Sequence, residues 1–466
     1  MFEDMRSFID YLREEEEVVE VREELTVHHE IGAAIKFIAE KYDSVAIFHK
    51  VKGYRAIVAG NLLGARRRLA MAMGVEEVDL PNEYLKRRTS LTKPLVVNRG
   101  PVKENILSGD IDIIRAIPVL THHEKDAGPY FTTGVVISKD PETGIRGMGI
   151  HRIQVKGPRI LGIFLNTPPV ATFLEKAERM GKPLEIAVAL GLDPVTFFSS
   201  VVWAPEGIDK FDIAGALSAH SISLVKCESV DQEVPATAEF VLEGRLLPGK
   251  REPEGPFGES SGYYFTFNNP LAEIEVISHR NEPIYHALMP FAGEEEVLID
   301  FSWQMENKNA FLKSIPGLKD VCLHHLGSIT VAQIAKQKAE DGIRVIKQIF
   351  DCGMPNKVII VVDEDVDIYS HKDVWWAIAT RFQPDRDVVI GRDMPGLGID
   401  PSTIQSESIS SGAKVLVTTT SKIGLDATKP LGDPDKFERI RIPTEIRRRV
   451  ERIVGAAKGE HERRPT

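Results

Sequence analysis

Cysteine is scarce. The 466 residues hold three, Cys227, Cys322 and Cys352, with no CxxC and no paired spacing, so they read as bland thiols of a reducing compartment. No apolar run reaches transmembrane length, and Met1 to Glu20 is too acidic and interrupted for a signal peptide. A soluble, cytoplasmic protein is expected. Basic residues are outnumbered, 58 Lys and Arg against 69 Asp and Glu, for a net charge of −11. Nucleic acid and anionic membranes need a basic footprint and are excluded as main partners. An anionic small molecule stays compatible if basic residues gather in one pocket. Neither GxGxxG after a strand nor GxxxxGK[ST] occurs, which removes the Rossmann and P-loop readings. Internal repeats and low-complexity tracts are absent too.

What remains is globular: 42% hydrophobic, 27% charged, and long enough for two or three domains. The fold class expected is α/β, in three parts. Residues 1–115 alternate helix and strand patterns. Phe8, Ile9 and Leu12 line one helix, Thr26 is placed to cap a second through Ile38, Val45 to Phe48 and Ala56 to Ala59 read as strands, and Leu63 to Met73 as a third helix. The stretch from Asn98 to Pro118 reads as an irregular crossover. Residues 116–315 carry short β runs separated by turn chemistry and one helix, Val170 to Met180, which predicts an antiparallel or split β-barrel. Residues 316–466 return to α/β, with a helix over Ile329 to Phe350, a buried strand Lys357 to Val362 and a helix Lys372 to Arg381. The charged amphipathic helix Ile442 to Ala457 suits packing on another subunit.

The chemistry-bearing stretch is Arg251 to Tyr264, where Glu254 and Glu259 bracket Gly-Pro-Phe-Gly. Residues five apart in a flat strand face opposite sides. A turn at Pro256-Phe257-Gly258 would let both carboxyls reach one pocket, where neighbouring carboxyls split their pKa values into an acid and a base. The plain alternative is a surface loop with two solvated glutamates. In Gly147 to Val155, alternation puts Met148, Ile150, Arg152 and Gln154 on one face and His151, Ile153 and Val155 on the other. Arg152 among apolar residues wants a carboxylate, from the protein or from a substrate; the alternative is a rim arginine snorkelling over the barrel. His28-His29-Glu30, His122-His123-Glu124 and His324-His325 lack zinc-helix spacing and read as structural. The acidic run Asp363 to Asp367 reads as solvated.

A family resemblance rests on many short pieces in one order. They are Gly149-Ile150-His151-Arg152-Ile153-Gln154, Val188-Ala189-Leu190-Gly191, Val225-Lys226-Cys227-Glu228, Val234-Pro235-Ala236-Thr237-Ala238-Glu239, Leu242-Glu243-Gly244, Glu254 to Glu259, Asp373-Val374-Trp375-Trp376-Ala377 and Gly424-Leu425-Asp426-Ala427-Thr428. In these the chain resembles the UbiD family of decarboxylases, which use prenylated flavin mononucleotide (FMN). The resemblance implies a flavin against the central split barrel and a Glu–Arg–Glu triad of Arg152, Glu254 and Glu259. In it Arg152 holds the substrate carboxylate, Glu254 tunes it and Glu259 donates the proton. It implies cofactor contacts at Ile150 and Ser200, a flavin prenyltransferase as cofactor supplier, and a homo-oligomer, dimer or hexamer.

The family also usually bridges protein and flavin phosphate with a divalent metal, often manganese, held by Asn, His and Glu. Here the Asn position is Gly147, the His position falls near Thr167 or Pro168, and the Glu position is Lys210. Direct phosphate pairing by Lys210 is the expectation that follows. The overall pattern is similar to the archaeal branch that decarboxylates trans-anhydromevalonate 5-phosphate. Aromatic acids such as 4-hydroxybenzoates are the competing substrates. A cofactor-free paired-carboxylate hydrolase and a non-catalytic flavin-binding protein are the readings from other classes.

Overall fold

The structure, a computed structural model, describes residues 2–410, 413–432 and 435–462. The helix Met5–Glu14 starts at an Asp4 cap, whose carboxylate accepts the Ser7 N–H at 2.8 Å, and it buries Phe8, Ile9 and Leu12 as the spacing predicts. Thr26 does not cap the next helix, Glu30–Tyr42. His29 occupies that position at φ 66°, and the Glu30 carboxylate instead accepts the Thr26 N–H. Strands Val18–Leu25, Val45–Val51 and Ile57–Gly60 form a sheet completed by Ile284–Ala287, which lies parallel to Ile57–Gly60. The first 115 residues therefore share their sheet with the middle of the chain. The crossover also carries structure: strand Leu95–Val97 joins Ser223–Lys226, and Asn105–Ser108 pairs with the end of the strand Tyr264–His279.

The centre is a closed antiparallel barrel, matching the β-barrel expectation. Its strands are β1 (Tyr130–Lys139), β2 (Arg146–Val155), β3 (Ile160–Ile163), β4 (Leu184–Leu190), β5 (Phe240–Gly258) and β6 (Tyr264–His279), ordered β5-β4-β1-β2-β3-β6 and closed by β5 on β6. Ile153, Leu161, Val188, Leu242 and Ile274 fill it and are buried. Four helices attach to this part, not the single one expected: α1 (Val170–Arg179), α2 (Pro194–Ser199), α3 (Lys210–Ser218) and α4 (Glu294–Ser314). The start signals of α2 and α3 are aspartate caps, Asp193 accepting the Thr196 N–H and Asp209 accepting that of Phe211, each at 2.9 Å.

In the C-terminal part the expected helix Ile329 to Phe350 is two elements, strand Ile329–Ile334 and helix Asp341–Asp351. The run Ile-Thr-Val-Ala-Gln-Ile is rich in β-branched residues and buries most of its length between two strands. The helix begins only where the Asp341 carboxylate accepts the Gln337 and Lys338 N–H groups. The acidic run is paired rather than solvated: buried Arg381 bonds Asp363 at 2.6 Å and Asp365 at 2.8 Å, and Lys429 bonds Asp365. The terminal helix Thr444–Glu462 leaves Ile446, Val450, Ile453 and Val454 exposed. No helix among the described residues is long and apolar enough to cross a membrane.

Candidate active site

The stretch between the two glutamates is not a turn. It stays inside β5, and its register on β6 slips between Glu254 and Phe257: Glu254 faces Phe267, while Phe257 faces Phe265. One extra residue is inserted, a β-bulge. Two residues five apart, which would point to opposite faces, are thereby brought to one side. Gly255 makes this possible. Its φ is +120°, and a Cβ there would sit 2.5 Å from the Phe265 carbonyl oxygen. Gly255→Ala is expected to cost about 1–3 kcal/mol from the backbone conformation alone, plus the clash, read as a lowered urea midpoint. From outside, Asp126 accepts the Gly258 N–H and the Ala127 N–H reaches the Pro256 carbonyl, both at 2.8 Å.

Arg152, on β2, is 8% exposed and lies between the two carboxylates. Its Nη2 donates to Glu254 Oε2 at 2.7 Å, its Nε to the same oxygen at 3.2 Å, and its Nη1 to Glu259 Oε1. The rings of Phe164, Phe257 and Phe267 surround the guanidinium, with centroids 4.5, 5.0 and 5.3 Å away. Asn269 donates a further bond to Glu254 Oε2 at 2.8 Å. Glu254 Oε1 and the Tyr130 hydroxyl are buried and interact with each other, with no other partner among the described residues. Burial pushes the Glu254 carboxyl above its ordinary range, against the pull of Arg152 and Asn269. For Arg152, burial is outweighed by the two carboxylates, which raise it.

Arg152 and Glu259 line a cavity of about 670 Å³ that runs between the barrel, α4 and the segment Leu397 to Ile399. Ile150, Val201, Leu288, Leu298 and Trp303 give it apolar walls. His151, which alternation assigns to the opposite face from Arg152, borders it as well; burial pushes its pKa down to about 4, and its Nδ1 is 3.0 Å from the Phe164 carbonyl. Ser200, Lys210 and Gly147 stand outside the wall. The Ser200 hydroxyl donates to the Phe197 carbonyl, and its own carbonyl accepts from Lys210 Nζ, each at 2.7 Å. Burial pushes Lys210 down to about 7. Gly147 lets α1 close on β2, since a Cβ there would be 2.5 Å from Pro169 Cγ and 2.7 Å from the Phe173 ring.

The residues present do not fit a divalent metal. The three positions hold a glycine, a Thr-Pro pair and a lysine, and among the described residues no group of three His, Cys, Asp or Glu could hold one. Sequence reasoning missed Tyr130, Phe164, Phe267, Asn269 and Glu295. The alternation Phe265-Thr266-Phe267 was an available signal for two aromatics on one face. Glu295 sits in the acidic first turn of α4, lines the cavity, and has one oxygen bonded to the Phe291 N–H and the other buried without a partner. Burial pushes its pKa from 4.5 up to about 7. Between those values the folded protein holds this proton more tightly than the unfolded chain, so stability falls as pH rises through that window. Glu295→Gln is expected to flatten the decline in melting temperature from about pH 5 to about 8. Asp300, also raised to about 7 by burial, leaves a residual slope of the same sign.

Three family models match consecutive stretches: the 3-octaprenyl-4-hydroxybenzoate carboxy-lyase N-terminal domain over residues 9–88, its Rift-related domain over 95–292 and its C-terminal domain over 297–427. The chain belongs to the UbiD family. It is a carboxy-lyase of that family, a decarboxylase. It is 31% identical to the anhydromevalonate phosphate decarboxylase of Methanothermobacter thermautotrophicus over 440 residues, 94% of this chain and 99% of that one. It is also 31% identical to the phenolic acid decarboxylase of Sedimentibacter hydroxybenzoicus, covering 86% and 89% of the two chains. Among solved structures, the UbiD-class enzyme HmfF from Pelotomaculum thermopropionicum, in complex with FMN, superposes with a TM-score of 0.87. The two are 36% identical, over 94% of this chain and 97% of HmfF.

Proposed function

We propose that this UbiD-family decarboxylase acts on an unsaturated carboxylic acid with prenylated FMN bound in the cavity beside Arg152. The observation that carries the reading is one buried guanidinium held between two carboxylates at the edge of an apolar cavity of about 670 Å³. Ile150 and Val201 offer flat apolar contact for a ring system. HmfF, of the same fold and family, is solved with FMN, and a flavin prenyltransferase is the supplier this cofactor needs. When bound, the prenylated flavin supplies an electron-rich ring that takes up the negative charge left by departing CO₂.

The chain's own residues do the rest. Arg152 pairs with the substrate carboxylate through the guanidinium edge that now meets Glu259, and so fixes the bond to be broken. Glu254, anchored by Asn269, keeps Arg152 in place. Glu259, released from Arg152 as the substrate enters, takes up a proton from solvent and delivers it to the carbon that loses CO₂. The apolar wall excludes water that would compete for that step. Ile150, Ser200, Lys210 and Gly147 are assigned to the cofactor side, and the assembly is a homo-oligomer, dimer or hexamer.

Two substrate classes compete. The name of the Methanothermobacter relative supports trans-anhydromevalonate 5-phosphate, decarboxylated to isopentenyl phosphate. A specific observation favours the second class: among the described residues lining the cavity, Arg152 is the only Lys or Arg, and both carboxylates already hold it. No cation there is free for a substrate phosphate, which suits an aromatic acid such as 4-hydroxybenzoate. CO₂ release by holoenzyme offered each acid separately tests both. Turnover of the phosphate alone supports the first class, turnover of the aromatic acid alone the second, and turnover of neither overturns both.

A further inference from the structure

Lys210 opens α3 and is 4% exposed. Its ammonium has one hydrogen-bond partner, the Ser200 carbonyl, and no ion-pair partner among the described residues. The acids around it are committed elsewhere. Asp209 caps α3 and pairs with Arg146 at 2.7 Å; Glu306 accepts from the Tyr84 hydroxyl at 2.5 Å and from Arg88 at 3.1 Å. A buried ammonium without a carboxylate is costly, and burial lowers Lys210 accordingly; an anion bound beside it from outside the chain would restore its charge. Ser200 adjoins Val201, and the charge of Lys210 acts on His151. Both Val201 and His151 border the cavity, which puts the ammonium just behind its wall. The donor set around it cannot hold the divalent ion used elsewhere in the family, whereas an ammonium already carries positive charge.

We propose that Lys210 replaces the metal: its ammonium pairs directly with the phosphate of the flavin, and this chain binds its cofactor without a divalent ion. The inference rests on the flavin reading above, and the test separates the two. Apoprotein is titrated with FMN and with riboflavin, which lacks the phosphate, in EDTA and in excess Mn²⁺, following flavin fluorescence. The expected result is FMN binding in EDTA that Mn²⁺ does not tighten, and riboflavin binding weaker by roughly 10–100-fold, the scale of a charge-assisted hydrogen bond. Lys210→Gln, which keeps a donor for the Ser200 carbonyl, is expected to bind FMN no better than riboflavin. Lys210→Met provides a second neutral variant should that one fail to fold. FMN binding that requires Mn²⁺, or a folded neutral variant that binds FMN as the wild type does, overturns the inference. Equal binding of FMN and riboflavin leaves the flavin reading standing and removes Lys210's role. Binding of neither removes both.

Discussion

Glu259→Gln is expected to lower decarboxylation by about 10²–10⁴-fold, the usual worth of a positioned proton donor. The amide keeps the size of the side chain and a carbonyl oxygen for Arg152 Nη1, so the fold and the cavity should survive. What it loses is the proton. Exchange of the product's newly bonded hydrogen in heavy water reads that step without net turnover, and should vanish in the variant. Flavin affinity should stay at the wild-type value, because Glu259 is bonded to Arg152 and lies in a loop closed on itself by the Glu259 N–H to Tyr263 carbonyl bond. Wild-type exchange in Glu259→Gln would move the proton donor elsewhere, with Glu295, the other carboxyl lining the cavity, as first candidate.

Arg152→Met should be the most damaging single change. It leaves two carboxylates facing each other in a pocket lined by Phe164, Phe257 and Phe267, and breaking a buried ion pair from one side costs about 3–5 kcal/mol. Glu254, already pushed up by burial, loses its main opposing influence and should hold its proton to still higher pH. A carboxyl raised in the folded state withdraws stability as pH rises through its window. The deficit of Arg152→Met should therefore grow from acid to neutral pH and shrink again in Glu254→Gln/Arg152→Met. Arg152→Lys separates charge from shape: it should fold, yet lose most activity, because one ammonium cannot reproduce the two-edged contacts of the guanidinium. Melting curves at several pH values, alongside CO₂ release, read both effects.

The site was legible where its chemistry is compact in sequence. Glu254 and Glu259 stand five apart with glycine and proline between, and Arg152 stands in an alternating strand, but only the family resemblance put the three together. The device that joins them was not legible. A bulge depends on how β5 pairs with β6, and pairing register is a long-range property. His151 keeps to the face of Gly149, as alternation expects, since a Cβ on Gly149 would sit 2.8 Å from its Nε2, and it borders the cavity nonetheless. The helix expected over Ile329 to Phe350 failed for another reason: apolar spacing alone cannot separate a short buried strand plus a helix from one long helix. Asp193-Pro194 and Asp209 were readable helix starts that went unused. Asn269, Tyr130 and Glu295 carried no local signal, since each matters only for what lies across the cavity.

Arg152, Glu254 and Glu259 are assigned to act beside a prenylated flavin. Co-expression with a flavin prenyltransferase and anaerobic purification, followed by absorbance and mass analysis of the bound small molecule, tests it most directly. The expected result is one prenylated FMN per chain and CO₂ release that depends on it. Recovery of no flavin species, or equal activity from a host without the prenyltransferase, would contradict it.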